Sequence, residues 1–205
     1  MTKSNLSPYT GTPVENLLTY LHSKCKLSDT FDSSIIPMLE STKHDKLYRS
    51  AKTDGVLLTA YWIDEGYSYM TEAGLDREGL PVTHVTDIFP PKMIMLHSDG
   101  FFNGKATKAD MFVAKGAVSI PFTREAFDVL GLTETGVDKL ATCILAENSD
   151  FMMAKLNMMK LRGDAKLRAL VELYGIGVMQ YFAQKQLADF FGMTEVHFSN
   201  VPKLF

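Results

Sequence analysis

Between Lys46 and Ile120 no apolar run grows long: KLYRSAK, LLTAYWIDEGYSYM, LPVTHVTDIF, MIMLH and DMFVAKGAVSIPF follow one another, with Gly, Pro and Asp recurring between them as in DREG and FPPK. Short runs rich in β-branched and aromatic residues pair as strands, and turn residues at this density reverse the chain after each one. The pattern predicts many short strands in a roll or barrel. DREG, Asp76 to Gly79, is expected to be a hairpin loop between two of them.

On either side the period turns helical. PVENLLTYLHSKCK, Pro13 to Lys26, places Val14, Leu17, Leu18 and Leu21 on one face with Pro13 in the first turn, and DSSIIPMLEST predicts a second helical piece. After the strands, TREAFDVLG is expected to be a short helix capped by Thr123 and ended by Gly131. The longest helical pattern then runs from about Thr133 to Lys160. Val137, Ile144, Phe151 and Met158 recur there at every seventh position, and Leu140, Ala154 and Leu161 fill most companion positions, with Glu147 the exception. Such a seam can supercoil against a second copy, which makes Val137, Leu140, Ile144, Phe151 and Met158 the expected dimer interface. The same stripe is what a helix lying on its own core displays. RGDAKLRALVELYG restarts a helix at Asp164, so Gly163 is the expected hinge, and the chain divides at the sequence level into 1–132, 133–162 and 163–205.

Composition narrows the function classes. The 205 residues are 46% hydrophobic and 22% charged with a formal net charge of -3, an ordinary globular balance without the cations that indiscriminate binding to nucleic acid or membranes requires. Cys25 and Cys143 stand far apart without metal-ligand spacing, which argues against a zinc site or a disulfide framework. No segment has the apolar length of a membrane span, and MTKSNLSPYTGTP has no apolar leader region; the expected compartment is the cytoplasm.

Taken in order, AYWIDEGY (Ala60 to Tyr67), the Asp76–Gly79 hairpin, FPP (Phe89 to Pro91), SIPFTREAFDVL (Ser119 to Leu130) and QKQLADFFGMT (Gln184 to Thr194) resemble the Crp/Fnr superfamily of bacterial regulators, in the texture of its divergent Bacteroidetes members. The resemblance covers nearly the whole chain. It implies an α+β fold: an N-terminal antiparallel β-roll (a double-stranded β-helix of the cyclic-nucleotide-binding type), a long dimerisation helix and a C-terminal helix-turn-helix, here a truncated winged helix. It further implies a homodimeric transcriptional regulator, not an enzyme, in which an effector in the roll shifts a pivot about Gly163 and resets the spacing of the terminal helices on DNA.

In QKQLADFFGMT, Leu187, Ala188 and Phe191 supply an inner face, Gly192 makes the turn and Met193 plugs the core. Thr194 is expected to cap a second helix that turns Phe198 and Val201 inward. Gln184, Lys185, Thr194, Glu195, His197, Ser199, Asn200 and Lys203 are then the candidate DNA contacts. The family presents arginine or glutamine near the start of this helix and an arginine one turn later, whereas Glu195, Val196 and Asn200 stand there in this chain, and Pro202 shortens the helix. Expected DNA binding is therefore weak, and the alternative is a dimer that keeps the fold as a ligand-binding or scaffold protein.

The family's cyclic-nucleotide members carry a phosphate cassette of the form Phe-Gly-Glu, a spacer, then Arg-Ser/Thr-Ala. The corresponding stretch here, HSDGFFNGKATKADM, has no Gly-Glu pair. It puts Lys105 nearest the arginine position and Ala106 at that of the hydroxyl residue, with Thr107 beside it. The candidate effector pocket is Gly100, Gly104, Lys105, Ala106 and Thr107. Its chemistry argues against a cyclic nucleotide and for another, unidentified small effector, since lysine meets a phosphate as a point charge without arginine's fork. GFFNGK also lacks the spacing of a nucleoside-triphosphate loop. A remote alternative is a cupin-like metalloenzyme using His84 and His97, against which stands the lack of a close histidine pair.

Overall fold

The computed structural model describes residues 9–75, 79–193 and 195–198. The first helix, α1 (Pro13–Lys24), begins with a reciprocal cap: the Thr12 hydroxyl accepts from the Glu15 amide and the Glu15 carboxylate accepts from the Thr12 amide. That satisfies amides which a helix start otherwise leaves open. A short α2 (Phe31–Ile35) continues into a 3-10 turn at Ile36–Met38.

β1 (Thr42–Lys43) comes before the region the punctuation marks, where a helical piece is expected up to Thr42; the other strands follow as expected: β2 (Tyr48–Arg49), β3 (Thr59–Glu65), β4 (Ser68–Leu75), β5 (Pro81–Phe89), β6 (Met93–Met95), β7 (Asp110–Val113) and β8 (Val118–Thr123). Among the described residues they form two four-stranded antiparallel sheets, ordered β1-β8-β3-β6 and β2-β7-β4-β5. Most connections cross from one sheet to the other, which winds the chain into a roll. Alternation along β3 then decides two cores at once, because successive side chains point to opposite faces. Tyr61 and Ile63 enter the roll with Met70, Met95 and Met111. Ala60 and Trp62 face the opposite way, under α1.

The buried carboxylate of this strand, Asp64, accepts from Asn16 Nδ2 (3.0 Å), Trp62 Nε1 (3.3 Å) and Lys92 Nζ (2.5 Å). A buried charge is tolerated when paired and hydrogen-bonded in this way.

MIMLH is a strand only as far as Met95, and a helix follows it. His97 caps a helix, α3 (Ser98–Asn103), its Nδ1 accepting from the Gly100 amide at 3.0 Å. Gly100 is required there by close approach rather than by flexibility: a Cβ would stand 2.8 Å from the Leu57 carbonyl oxygen. Gly104 closes the helix at φ +63°, a conformation that favours glycine.

α4 (Arg124–Thr133) has the expected Thr123 cap but runs through Gly131. What ends it is Glu134, whose carboxylate accepts from the hydroxyls of Ser28, Thr30 and Ser34. Gly136, at φ +90°, then starts α5 (Val137–Met159). The long helix therefore begins later than the pattern predicts: the clamp fixes Glu134, and Thr133, Thr135 and Gly136 around it are weak helix formers.

The break at Gly163 is as expected, with φ +54°. Beyond it lie α6 (Gly163–Tyr174), α7 (Val178–Tyr181), α8 (Gln184–Phe190) and α9 (Glu195–Phe198). These helices fold onto the β4–β5 hairpin, where Leu170, Tyr174, Phe182, Leu187 and Phe191 share a core with Tyr67 and Ile88. The Tyr67 hydroxyl, pushed up to about 12 first by burial and then by Tyr181, donates to the Tyr174 carbonyl at 2.7 Å. Lys166, itself buried, donates to the Phe191 carbonyl, and its burial lowers its pKa. Among the described residues, no helix is long and apolar enough to cross a membrane.

Candidate functional site

A pocket of about 320 Å³ opens between the β5–β6 edge of the roll, the start of α3 and the middle of α5. Ile88, Phe89, Met93 and Leu96 form its roll side, and Leu145, Asn148, Ser149 and Met152 its helical side, with Asp87, His97 and Ser98 as further polar groups. No lysine or arginine is among these lining residues.

Asn148 carries an unmet demand. Its amide nitrogen donates to the Ile94 carbonyl at 3.3 Å, while Oδ1 is buried and without a partner. A buried acceptor left so costs stability until a donor reaches it. His97 spends Nδ1 on the α3 cap, so the neutral ring carries its proton on Nε2. Asp87 accepts from Lys155 Nζ at 2.7 Å; the same ammonium donates to the Thr86 carbonyl and stands 4.9 Å from the Phe190 ring centroid. The pocket wall is thereby one contact away from α8.

The cassette-like residues lie elsewhere. Gly100 is buried in α3, and Gly104 ends it. Lys105 and Ala106 are exposed, and Lys105 Nζ stands 3.4 Å from the Asp99 carboxylate, which Asn103 and then Lys105 hold below its ordinary pKa. Thr107 turns toward Gly55, whose carbonyl accepts its amide at 2.9 Å, and its own carbonyl accepts from Lys52. None of Gly100, Gly104, Lys105, Ala106 and Thr107 lines the pocket.

The expected dimer seam also lies inside the chain. Val137, Leu140 and Ile144 pack into the core under α1, and Phe151 and Met158 into the core shared with α6–α8. Glu147, the exception in the seam, accepts from the Tyr20 hydroxyl and from Lys24 Nζ at 2.7 Å, where α5 passes between the two cores.

In the C-terminal helices Leu187, Ala188 and Phe191 are buried as expected, Met193 packs against their core, and Gln184 and Lys185 are exposed in the first turn of α8. Phe198 on α9 is buried and Val196 exposed. Thr194, Ser199, Asn200, Val201, Pro202 and Lys203 lie outside the described residues, as do the side chains of Glu195 and His197. The histidines of the metalloenzyme alternative are put to other uses: His84 Nδ1 stands 2.9 Å from Asp189 Oδ2 on α8, and His97 caps α3. Among the described residues no three metal-ligating side chains gather.

No protein-family model and no curated protein matches the sequence. Solved structures match the backbone. A cyclic nucleotide-binding domain containing protein from Listeria monocytogenes EGD-e superposes with a TM-score of 0.57 at 12% identity, over 94% of this chain and 89% of that one. The c-di-GMP responsive global regulator CLP of Xanthomonas campestris does so with a TM-score of 0.55 at 12% identity, over 86% and 91%. The chain has the fold of the cyclic-nucleotide-binding domain. FixK2 from Bradyrhizobium japonicum shares it at a TM-score of 0.50 and 12% identity, over 81% of this chain and 82% of that one. At such identities the likeness is one of architecture, and function has to be argued from the site.

Sequence reasoning passed over Asp87, Asn148 and Lys155. Asp87 left a trace as a lone carboxylate in the strand run LPVTHVTDIF. Asn148 left none, since a polar residue on a helix pattern reads as solvent-facing until the roll is placed against it.

Proposed function

We propose that this chain is a homodimeric, cytoplasmic transcriptional regulator of the Crp/Fnr type, organised as 1–132, 133–162 and 163–205. Its effector site is the pocket between the roll and α5, and its C-terminal helix-turn-helix meets DNA weakly. The observation that carries the reading is the unpartnered Asn148 Oδ1 in that pocket, on the helix that joins the roll to the C-terminal helices. The effector is a small molecule that donates a hydrogen bond to Asn148 and is otherwise largely apolar. A cyclic nucleotide fits poorly, because its phosphate would meet Asp87 and no lining cation.

The second copy docks on the outward side of α5. Thr142, Ala146, Ser149, Met153 and Leu156, at alternating steps of four and three residues, are all exposed and repeat as a two-helix seam requires. On α8 the exposed first turn offers Lys185 as its cation while Asp189 lies on the same helix, which supports a modest, salt-dependent affinity. The same observation favours the scaffold alternative if that affinity vanishes.

The test is a salt titration on random-sequence duplex together with melting of the protein in cyclic AMP. The expected outcome is weak binding that fades with salt, and no stabilisation by the nucleotide, where a ligand at a hundred times its Kd would add about 2.7 kcal/mol. No binding even at low salt supports the scaffold alternative. A saturable upward shift with cyclic AMP would overturn the effector assignment.

A further inference from the structure

A second cavity, of about 80 Å³, lies on the other face of the β3–β8 sheet, beneath α1, α4 and the first turns of α5. Every side chain lining it is apolar, and the one polar atom among them, Trp62 Nε1, already donates to Asp64 at 3.3 Å. Water needs two or more polar partners to be held well, and this lining offers it almost none. Unfilled space of this kind withholds dispersion contacts from its lining, and an apolar guest of matching size restores them.

The lining also sets the guest's chemistry. Phe101, Phe102 and Phe127 form an edge-to-face trio at one end, with centroids 5.0 to 5.8 Å apart. Arg124 holds that end together by donating to the carbonyls of Phe101 and Phe102 at 2.7 and 2.6 Å. Ring edges and faces arranged so accept a further ring. Ala60 on β3 and Ala141 on α5 are the small residues in the wall, and they are what leaves the room.

We propose that this cavity is a second binding site, for a small uncharged aromatic or aliphatic molecule or group. The site is separate from the pocket at Asn148 and does not depend on that pocket being an effector site. Because Val137, Leu140 and Ile144 form part of its wall, occupancy also firms the start of α5 on the sheet.

The probes are benzene and xenon, added to the purified full chain. Benzene at ten times its Kd is expected to raise the melting temperature by about 3–6 °C and to slow amide exchange at the start of α5. Xenon NMR should report a bound site, and charged benzoate should have no effect. Ala141→Leu fills the space and should melt no lower than the parent while losing the benzene shift; Ala60→Val provides the same measurement if the first variant does not fold. The proposal is overturned if neither benzene nor xenon binds the parent chain, or if the benzene shift survives undiminished in the filled variants.

Discussion

The two sides of α5 are built from the same kind of residue and do different work. Its inward side carries Val137, Leu140 and Ile144 into the core under α1 and Phe151 and Met158 into the core of the C-terminal helices, where the Phe151 and Tyr174 rings meet edge-on at 5.5 Å. Its outward side leaves Met153 and Leu156 about half exposed, at 52% and 47%, following the exposed small residues Ala146 and Ser149 along the helix. Both stripes fit a sevenfold repeat. The difference teaches that such a repeat identifies an apolar side of a helix without naming what lies against it. Inward, the stripe belongs to folding; outward, it is left for association.

Ile144→Asp tests this comparison most severely. A carboxylate among buried apolar side chains has no partner, so the expected loss is about 4 kcal/mol or more, enough to unfold the chain in mild denaturant. A variant that melts like the parent and merely changes its mass in solution would mean that the inward side is an interface after all. Next in size is Met153→Asp combined with Leu156→Asp. The expected outcome is a folded 22.9 kDa monomer by light scattering, with stability changed by about 1 kcal/mol or less, as for other surface positions. A dimer unaffected by both charges would place the second copy elsewhere.

A smaller effect concerns the clamp that sets where α5 begins. Hydrogen bonds from Ser28, then Ser34, and also Thr30 hold the Glu134 carboxyl below the ordinary glutamate pKa. A group depressed in the folded state stabilises above its unfolded value, and that contribution is lost as pH falls through the folded value. Glu134→Gln should therefore lower the melting temperature by a few degrees at neutral pH, and its melting temperature should fall less steeply below about pH 4.5 than the parent's. Identical acid profiles would show that the hydroxyls do not grip the charge.

The strands were legible because turn residues and β-branched runs act locally: each of the expected runs contains a strand of the roll. The caps at Thr12 and Thr123 and the break at Gly163 are local in the same sense. α3 was not legible, because it is one short turn pair with Gly100 inside it, and glycine weakens a helix pattern. The reason for Gly100 is the Leu57 carbonyl, which is distant in sequence. The end of α4 was misplaced at Gly131 for a related reason, as the clamp on Glu134 comes from hydroxyls about a hundred residues earlier. The pocket residues come from separate segments of the chain, so no spacing announces them.

By itself, then, the sequence determined the order of elements, the roll and its flanking helices, and the apolar character of α5, all of which follow from steric and hydrophobic preferences within a few residues. Tertiary structure alone decided which side of α5 faces in, where the long helix starts, and that the cassette segment forms α3 while the pocket opens beside Asn148. Those outcomes depend on burial and on hydrogen-bond partners supplied by distant parts of the chain, and a carboxylate, an amide or a glycine has no fixed meaning until those partners arrive.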